Sequence, residues 1–260
     1  MIKLTFLGTA CAVSSKNRDN TALLLKTDKE IFLIDCPGSP VSKLKRINSD
    51  FRKIDKILFT HSHPDHIYGL PSLLHSQYKL GNRVFVYAKK EVISLIKALV
   101  KIYRLEDKSR FPQLIYKNIL PDLNEPFYKS KDLSIFSFEV MHSLNSVGFK
   151  FVFKDGKSIV FTGDTAYSEK TLRASRDTDY LISDCFSPSR FFKVYKELKR
   201  EHTDSLSLGR LAKRANVKVL VPIHFCRELS YSFEEVIEEI RRNFKGKIII
   251  PKDCVSLRLD

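Results

Sequence analysis

The sequence predicts an α/β protein in which two β-sheets pack together with helices outside them. Three observations carry this. Short runs rich in Ile, Val and Phe recur along the whole chain in two batches, the spacing of strands rather than of a helical bundle. Amphipathic helical patterns are interleaved with them, the alternation of a layered fold. No apolar run approaches the ~20 residues that span a bilayer, so a membrane helix is excluded as the organising element.

The first strands are expected at Ile2 to Leu7, Thr21 to Lys26, Ile31 to Asp35 and Ile54 to Thr60. A later batch is expected at Arg83 to Tyr87, Leu133 to Val140, Gly148 to Phe153, Ser158 to Thr162, Tyr180 to Asp184, Val217 to Pro222 and Lys247 to Ile250. Phe149, Phe151 and Phe153 alternate with Lys150 and Val152, so one face of that strand is to be buried. Asp155-Gly156 then supplies a tight turn into the next strand, a hairpin signal. Among helices, residues 89–103 place Val92, Ile96, Leu99 and Tyr103 on one face with lysines opposite. Thr203-Asp204 is positioned to cap a helix carrying Leu208, Leu211 and Ala215. Ser232 with Glu235 has the capping-box pattern ahead of Val236, Ile237 and Ile240.

At 260 residues the chain is one large domain or two small ones, with no linker, repeat or low-complexity segment between candidates. Its N-terminus reads as a strand and lacks the layout of a secretory signal. Five cysteines, at 11, 36, 185, 226 and 254, are scattered and never form a CxxC pair, which argues against a disulfide framework and fits a reducing cytoplasm. Lys+Arg 45 against Asp+Glu 30 gives a net charge of +15, a field that concentrates anions and favours polyanionic partners. The basic residues are spread over many segments, so charge alone does not separate a nucleic-acid partner from simple solubility.

Chemistry concentrates after the apolar run Ile57-Leu58-Phe59, in THSHPDH: His61, His63, Asp65 and His66 fall within six residues of a chain that has seven histidines. His61 and His63, two apart, project the same way if strand geometry continues, and Asp65 and His66 follow on the turn. Imidazole nitrogen and carboxylate oxygen suit zinc and its first-row relatives. Four such donors are too many for one open catalytic ion and its water, so two adjacent ions are the economical reading, with further donors from elsewhere. His142, Asp164 and His224 each lie just past an apolar strand, the same position as the HxHxDH turn. His75, on an expected helix, reads as structural.

These motifs resemble the ordered signature of the metallo-β-lactamase fold of two-metal hydrolases: HxHxDH, a later His, a Gly-Asp and a final His. The resemblance implies an αββα four-layer sandwich over residues 1–260 as a single domain. One metal would be held by His61, His63 and His142, the other by Asp65, His66 and His224, with Asp164 bridging. Within that superfamily FLGTACAVSSKNRDNTALLL, DHIYGLPSLL, LISDCFSP and EHTDSLSLGRLAKRANVKVLVPIHF resemble ribonuclease Z and its phosphodiesterase relatives. On that mapping His202 is a catalytic histidine and Asp184 stands where the branch usually has Glu. Gly148 to Gly163 holds only a hairpin joined by KDGK, so the arm that grips tRNA in ribonuclease Z is expected to be missing. Asp35-Cys36-Pro37-Gly38-Ser39 also departs from the branch's glycine-rich continuation.

The implied activity is metal-dependent hydrolysis of a phosphodiester in RNA, tRNA or a nucleotide, with two divalent ions, zinc by default and manganese or iron as alternatives. Asp65 would orient the attacking water, His202 would protonate the leaving oxygen or bind the phosphate, and Asp184 would fix the His202 tautomer. The resemblance also points to a homodimer. The alternative is a two-metal hydrolase of a thioester, lactone or lactam, since the same water attacks a carbonyl. A lactamase commonly carries Cys where Asp164 stands, and di-iron oxygen-reducing relatives carry Glu in place of His63 and a flavin domain. A nucleic-acid-binding protein with a dead site is disfavoured by the full donor set.

Overall fold

The computed structural model describes residues 1–259, which form two compact units. The first comprises residues 1–12, 16–119 and the C-terminal segment from 252, and the second residues 13–15 and 120–251. Each is built on one seven-stranded mixed sheet.

In the first unit the strands are β1 (Ile2–Gly8), β2 (Ala22–Lys26), β3 (Ile31–Ile34), β4 (Lys56–Leu58), β5 (Arg83–Ala88) and β6 (Gln113–Asn118), with the C-terminal strand Ser256–Leu259 beside β1. β1, β2 and β3 are antiparallel, and β3 to β6 run parallel. Helices α1 (Pro40–Arg46), α2 (Pro64–Ile67), α3 (Leu70–Ser76) and α4 (Lys90–Ile102) connect them. Leu24, Leu33, Ile57, Phe59, Leu70, Val86 and Ile96 form the centre of this core. α1 and α2 begin on proline and α3 has Pro71 as its second residue; in a first turn proline supplies the fixed φ and gives up only an N–H that would have had no partner.

The second unit carries β7 (Tyr128–Lys129), β8 (Leu133–Glu139), β9 (Val147–Phe153), β10 (Ser158–Phe161), β11 (Tyr180–Asp184), β12 (Val219–Ile223) and β13 (Lys247–Ile248). β10, β11, β12 and β13 are parallel, while β7 to β10 form antiparallel neighbours. Its helices are α5 (Glu169–Ala174), α6 (Phe191–Val194), α7 (Ser205–Arg214) and α8 (Phe233–Arg241). Two-strand reversal makes β8 run the same way as β10, so β8, β10, β11 and β12 all deliver their carboxyl ends to one edge of the sheet. That edge is where ligands gather in layered α/β folds.

Local expectations were met unevenly. The β9 phenylalanines are buried while Lys150 and Val152 are half-buried, and Gly156 closes the β9–β10 turn at φ +85°. Asp204 caps α7 through the Ser207 N–H, whereas Thr203 instead donates its hydroxyl to the Thr165 carbonyl. Ser232 caps α8 by accepting from the Glu235 N–H, while the Glu235 carboxylate pairs with Arg190. Two expectations fail. Tyr103 is exposed, because α4 ends at Ile102; the buried face is Val92, Ile93, Ile96 and Val100. The strand expected over 54–60 is only Lys56–Leu58, since Phe51–Lys53 form a 3₁₀ turn capped by Asp50. β6, β7 and the C-terminal strand were not anticipated, their sequences being mixed in polarity and partly exposed.

Candidate metal centre

The first cluster of donors follows β4. Parallel pairing of β3 with β4 sets Ile34 against Leu58, so the chain leaving each strand emerges side by side. Asp35, the first residue past β3, adopts a left-handed backbone (φ +58°) and its N–H bonds the Leu58 carbonyl. Its buried carboxylate then receives the Thr60 N–H and hydroxyl, each at 2.9 Å, and lies 2.8 Å from His66 Nδ1. Burial raises the Asp35 carboxyl above its ordinary range, against the lowering pull of His66 and Thr60. The Thr60 hydroxyl also reaches His61 Nδ1 at 2.9 Å.

His61 and His66 are fully buried, with ring centroids 4.2 Å apart; His61 and His63 rings meet edge-on at 4.7 Å. α2 begins at Pro64 and lifts Asp65 and His66 onto a single turn, where His66 Nε2 lies 3.4 Å from Asp65 Oδ2. With Nδ1–H donated to Asp35, His66 keeps Nε2 as the lone-pair nitrogen, the tautomer a metal ligand needs.

The second cluster occupies the carboxyl-end edge of the other sheet. His142 follows β8, Asp164 follows β10, Asp184 ends β11, and His224 follows β12. Two sharp backbone positions turn donors inward. Gly163 (φ +60°) precedes Asp164, and His224 itself sits at φ +64°, a conformation uncommon for any residue with a side chain. His142, Asp164 and His224 side chains are almost fully buried. Both imidazoles present Nε2 to the same oxygen, Asp164 Oδ2, at 4.0 Å from His142 and 3.1 Å from His224. His142 Nδ1 lies 2.9 Å from the Glu201 carbonyl, which only accepts, so its proton is on Nδ1 and its lone pair on Nε2.

His202 stands beside this group. Its ring is stacked on Phe186 (4.5 Å) and on His224 (5.3 Å), and meets His142 at 5.4 Å. Nδ1 lies 2.8 Å from Asp184 Oδ2, which also receives the Thr165 N–H. Burial by itself would discharge this imidazole, but Asp184, with help from Asp164 and Glu201, raises it to about 9.

Residues 2–205 match the family model described as anti-Pycsar protein Apyc1. The chain belongs to this family. The ribonuclease Z of Thermococcus sibiricus is 27% identical to this Apyc1-family chain, over 100% of the chain and 97% of the relative. The metallo-β-lactamase-fold protein YhfI of Bacillus subtilis superposes with a TM-score of 0.83 at 21% identity, covering 99% of this chain and 100% of YhfI. The short form of human tRNase Z gives 0.81 at 21%, covering 99% of each. The fold is therefore the metallo-β-lactamase fold in its ribonuclease Z-like form, as the sequence motifs implied. The β9–β10 connection is the short turn Lys154 to Lys157, so no arm projects there.

Each unit gathers its own share of the expected donors: His61, His63, Asp65 and His66 in one, His142, Asp164, His224, Asp184 and His202 in the other. The mixed nitrogen and oxygen donors suit a divalent metal ion. His75 lies apart, exposed on α3 near Phe111. Asp35, Thr60 and Phe186 are supports that the sequence reading did not single out. Asp35 was discoverable by the rule that found the others, since it directly follows an apolar strand. Phe186 carries no such signal, because its use depends on where β11 delivers the chain.

Proposed function

We propose that this protein hydrolyses phosphodiester bonds with two divalent metal ions, and that residues 1–260 act as one catalytic domain. The observation that carries the reading is Asp164 Oδ2 flanked by the Nε2 atoms of His142 and His224, with His202 held by Asp184 alongside. One ion would draw on His61, His63 and His142 and the other on Asp65, His66 and His224, with Asp164 shared, the allotment that the sequence signature implies. The donor chemistry fits: His66 and His142 have their Nδ1 protons engaged by Asp35 and a carbonyl, and zinc is the metal such donors favour. When bound, a metal pair supplies an activated water and charge stabilisation at a phosphoryl oxygen.

The chain's own groups then do the rest. Asp65 orients the water and accepts its proton. Asp184 fixes the ring of His202 through Nδ1, leaving Nε2 to hydrogen-bond a phosphoryl oxygen or to pass a proton to the leaving oxygen. Phe186 and His224 keep that imidazole from rotating. The substrates named by the relatives, RNA and tRNA, support a nucleotide-based substrate here, and the +15 charge supports an anionic one. Five cysteines that form no disulfide among the described residues, four of them buried, support a reducing cytoplasm.

The test is a panel on zinc-loaded protein: bis(p-nitrophenyl) phosphate, a thioester and a lactone. The phosphodiester should be turned over at least about a hundredfold faster than either carbonyl substrate, the scale of one well-placed acid–base group. Preferential hydrolysis of the thioester or lactone would replace this reading with the carbonyl one.

A further inference from the structure

Between β11 and α7 the chain makes a long excursion. It leaves β11 at Asp184, passes Phe186, runs out through α6 and a 3₁₀ turn (Lys196–Arg200), and returns through His202 to α7 at Ser205. Residues 193–197 are all exposed, so His202 does not draw its position from packing at the tip of the excursion. The order comes from the base. The Phe186 N–H bonds the Thr203 carbonyl at 3.0 Å and the Ser205 N–H bonds the Ser187 carbonyl at 3.1 Å, so the outgoing and returning limbs run side by side. Against them lies Glu239 of α8, buried at 7% exposure. One of its carboxylate oxygens receives the Ser189 N–H at 2.8 Å and the Ser205 hydroxyl; the other receives the Ser189 hydroxyl at 2.6 Å. α8 can bring it there because Gly209, one turn into α7, leaves room for the backbone of the next residue, Ile240.

Glu239 forms no ion pair among the described residues, and the nearby Arg190 is taken by Glu235. A buried carboxylate without a cation is costly to keep unless its oxygens are hydrogen-bonded. Its three donors all come from the excursion, two from the outgoing limb and one from the returning limb, so the carboxylate is satisfied only while the base stays closed. His202 and Phe186, which stack on each other, both leave from that base. We propose that Glu239 is a positioning residue for His202: by clamping both limbs from α8 it holds the imidazole against Asp184 and Phe186, without touching the ring itself. The catalytic part given to His202 rests on the phosphodiesterase reading; its placement does not.

The test uses full-length, zinc-loaded protein well below its Tm, with folding checked by far-UV circular dichroism. In Glu239→Ala, kcat for bis(p-nitrophenyl) phosphate should fall about 10- to 100-fold at unchanged zinc content, since misplacing a reacting group by about 1 Å costs up to about 10²-fold. Introduced into His202→Ala, the same substitution should cost nothing further, because the group it positions is already gone; a residue that only stabilises the fold would cost the same in both backgrounds. Glu239→Gln keeps an oxygen for the Ser189 N–H and turns its NH2 toward the Ser189 hydroxyl, so turnover should return to near that of the unaltered protein. A readout that needs no turnover is the His202 Nδ1 proton, which is donated to Asp184 and should give a far-downfield NMR line missing from His202→Ala. That line should be lost to exchange in Glu239→Ala and kept in Glu239→Gln. An unchanged line, an unchanged kcat, equal losses in both backgrounds or a loss of zinc overturns the proposal. If Glu239→Ala does not fold, Ser205→Ala, which removes only the returning limb's donor, decides by the same measurements, with a broadened line and lower kcat expected. Should no phosphodiester be cleaved while the line still depends on Glu239, the hydrolytic reading fails and the clamp stands.

Discussion

His61, His63, Asp65 and His66 come from six consecutive residues, whereas His142, Asp164 and His224 come from three strand ends scattered over residues 142–224. The first cluster is arranged by its own backbone: a strand, a proline and one helical turn bring four donors together, and a single buried carboxylate, Asp35, steadies them through Thr60 and His66. The second is arranged by sheet topology. Parallel β10, β11 and β12 must be in register, with Asp184 opposite Ile223, before Asp164 and His224 come together. Local order makes the first cluster sensitive to individual side chains, and long-range order makes the second sensitive to packing far away.

The strongest challenge to that contrast is His63→Ala. It should drop turnover below detection and remove at least one ion in elemental analysis; full activity would show that the compact turn is not a metal site. His202→Ala comes next. It should keep its metal and lose about 10²- to 10⁴-fold in kcat, the range for a positioned acid. Metal loss in that variant would show His202 to be a ligand instead.

Asp35→Asn should weaken zinc binding by about 10- to 100-fold, read by competition with a chromophoric chelator. An amide has one accepting oxygen, so it cannot take the Thr60 N–H on one atom and the Thr60 hydroxyl and His66 Nδ1 on the other as the carboxylate does, and its NH2 is set against a donor, which weakens the hold on the His66 tautomer. Gly209→Ala strikes the other region through packing. A Cβ there would meet the Ile240 carbonyl oxygen at 2.6 Å, where α7 crosses α8. The cost should be about 1–3 kcal/mol, seen as a lower Tm with reduced turnover and unaltered donors. If Asp35→Asn lowers Tm as much as Gly209→Ala does, the two regions are not held by different means. The smallest effect is expected from Ser232→Ala, which removes the α8 cap for about 1 kcal/mol and leaves zinc binding untouched.

The same contrast explains what was legible beforehand. HxHxDH announces itself because its spacing is the arrangement. His142, Asp164 and His224 were legible only as repeated strand ends, and the resemblance to a known signature supplied the rest. Tyr103 was misread because periodicity marks a helical face but not the residue at which the helix stops. The segment at 54–60 was misread because Asp50 captures the chain into a 3₁₀ turn, a local hydrogen bond that hydrophobic patterning does not report. The His202–Asp184 pair was anticipated as a pairing, but Phe186 and the Glu201 carbonyl emerge only from the folded path. β6 and β7 were invisible because edge strands carry polar residues that blur alternation.

The turn between β9 and β10 has a consequence for building on this scaffold. Lys154, Asp155 and Gly156 are exposed, and a Cβ added at Gly156 would touch nothing within 4 Å. Chain lengthened at that point grows into open solvent from two strands whose register is already fixed by their own ladder. Because closure entropy rises only logarithmically, each doubling of such an insert costs about 0.6 kcal/mol. The hairpin tip is therefore a grafting port: a new recognition module can be spliced there, and target choice altered, while the chemistry beneath is left as it stands.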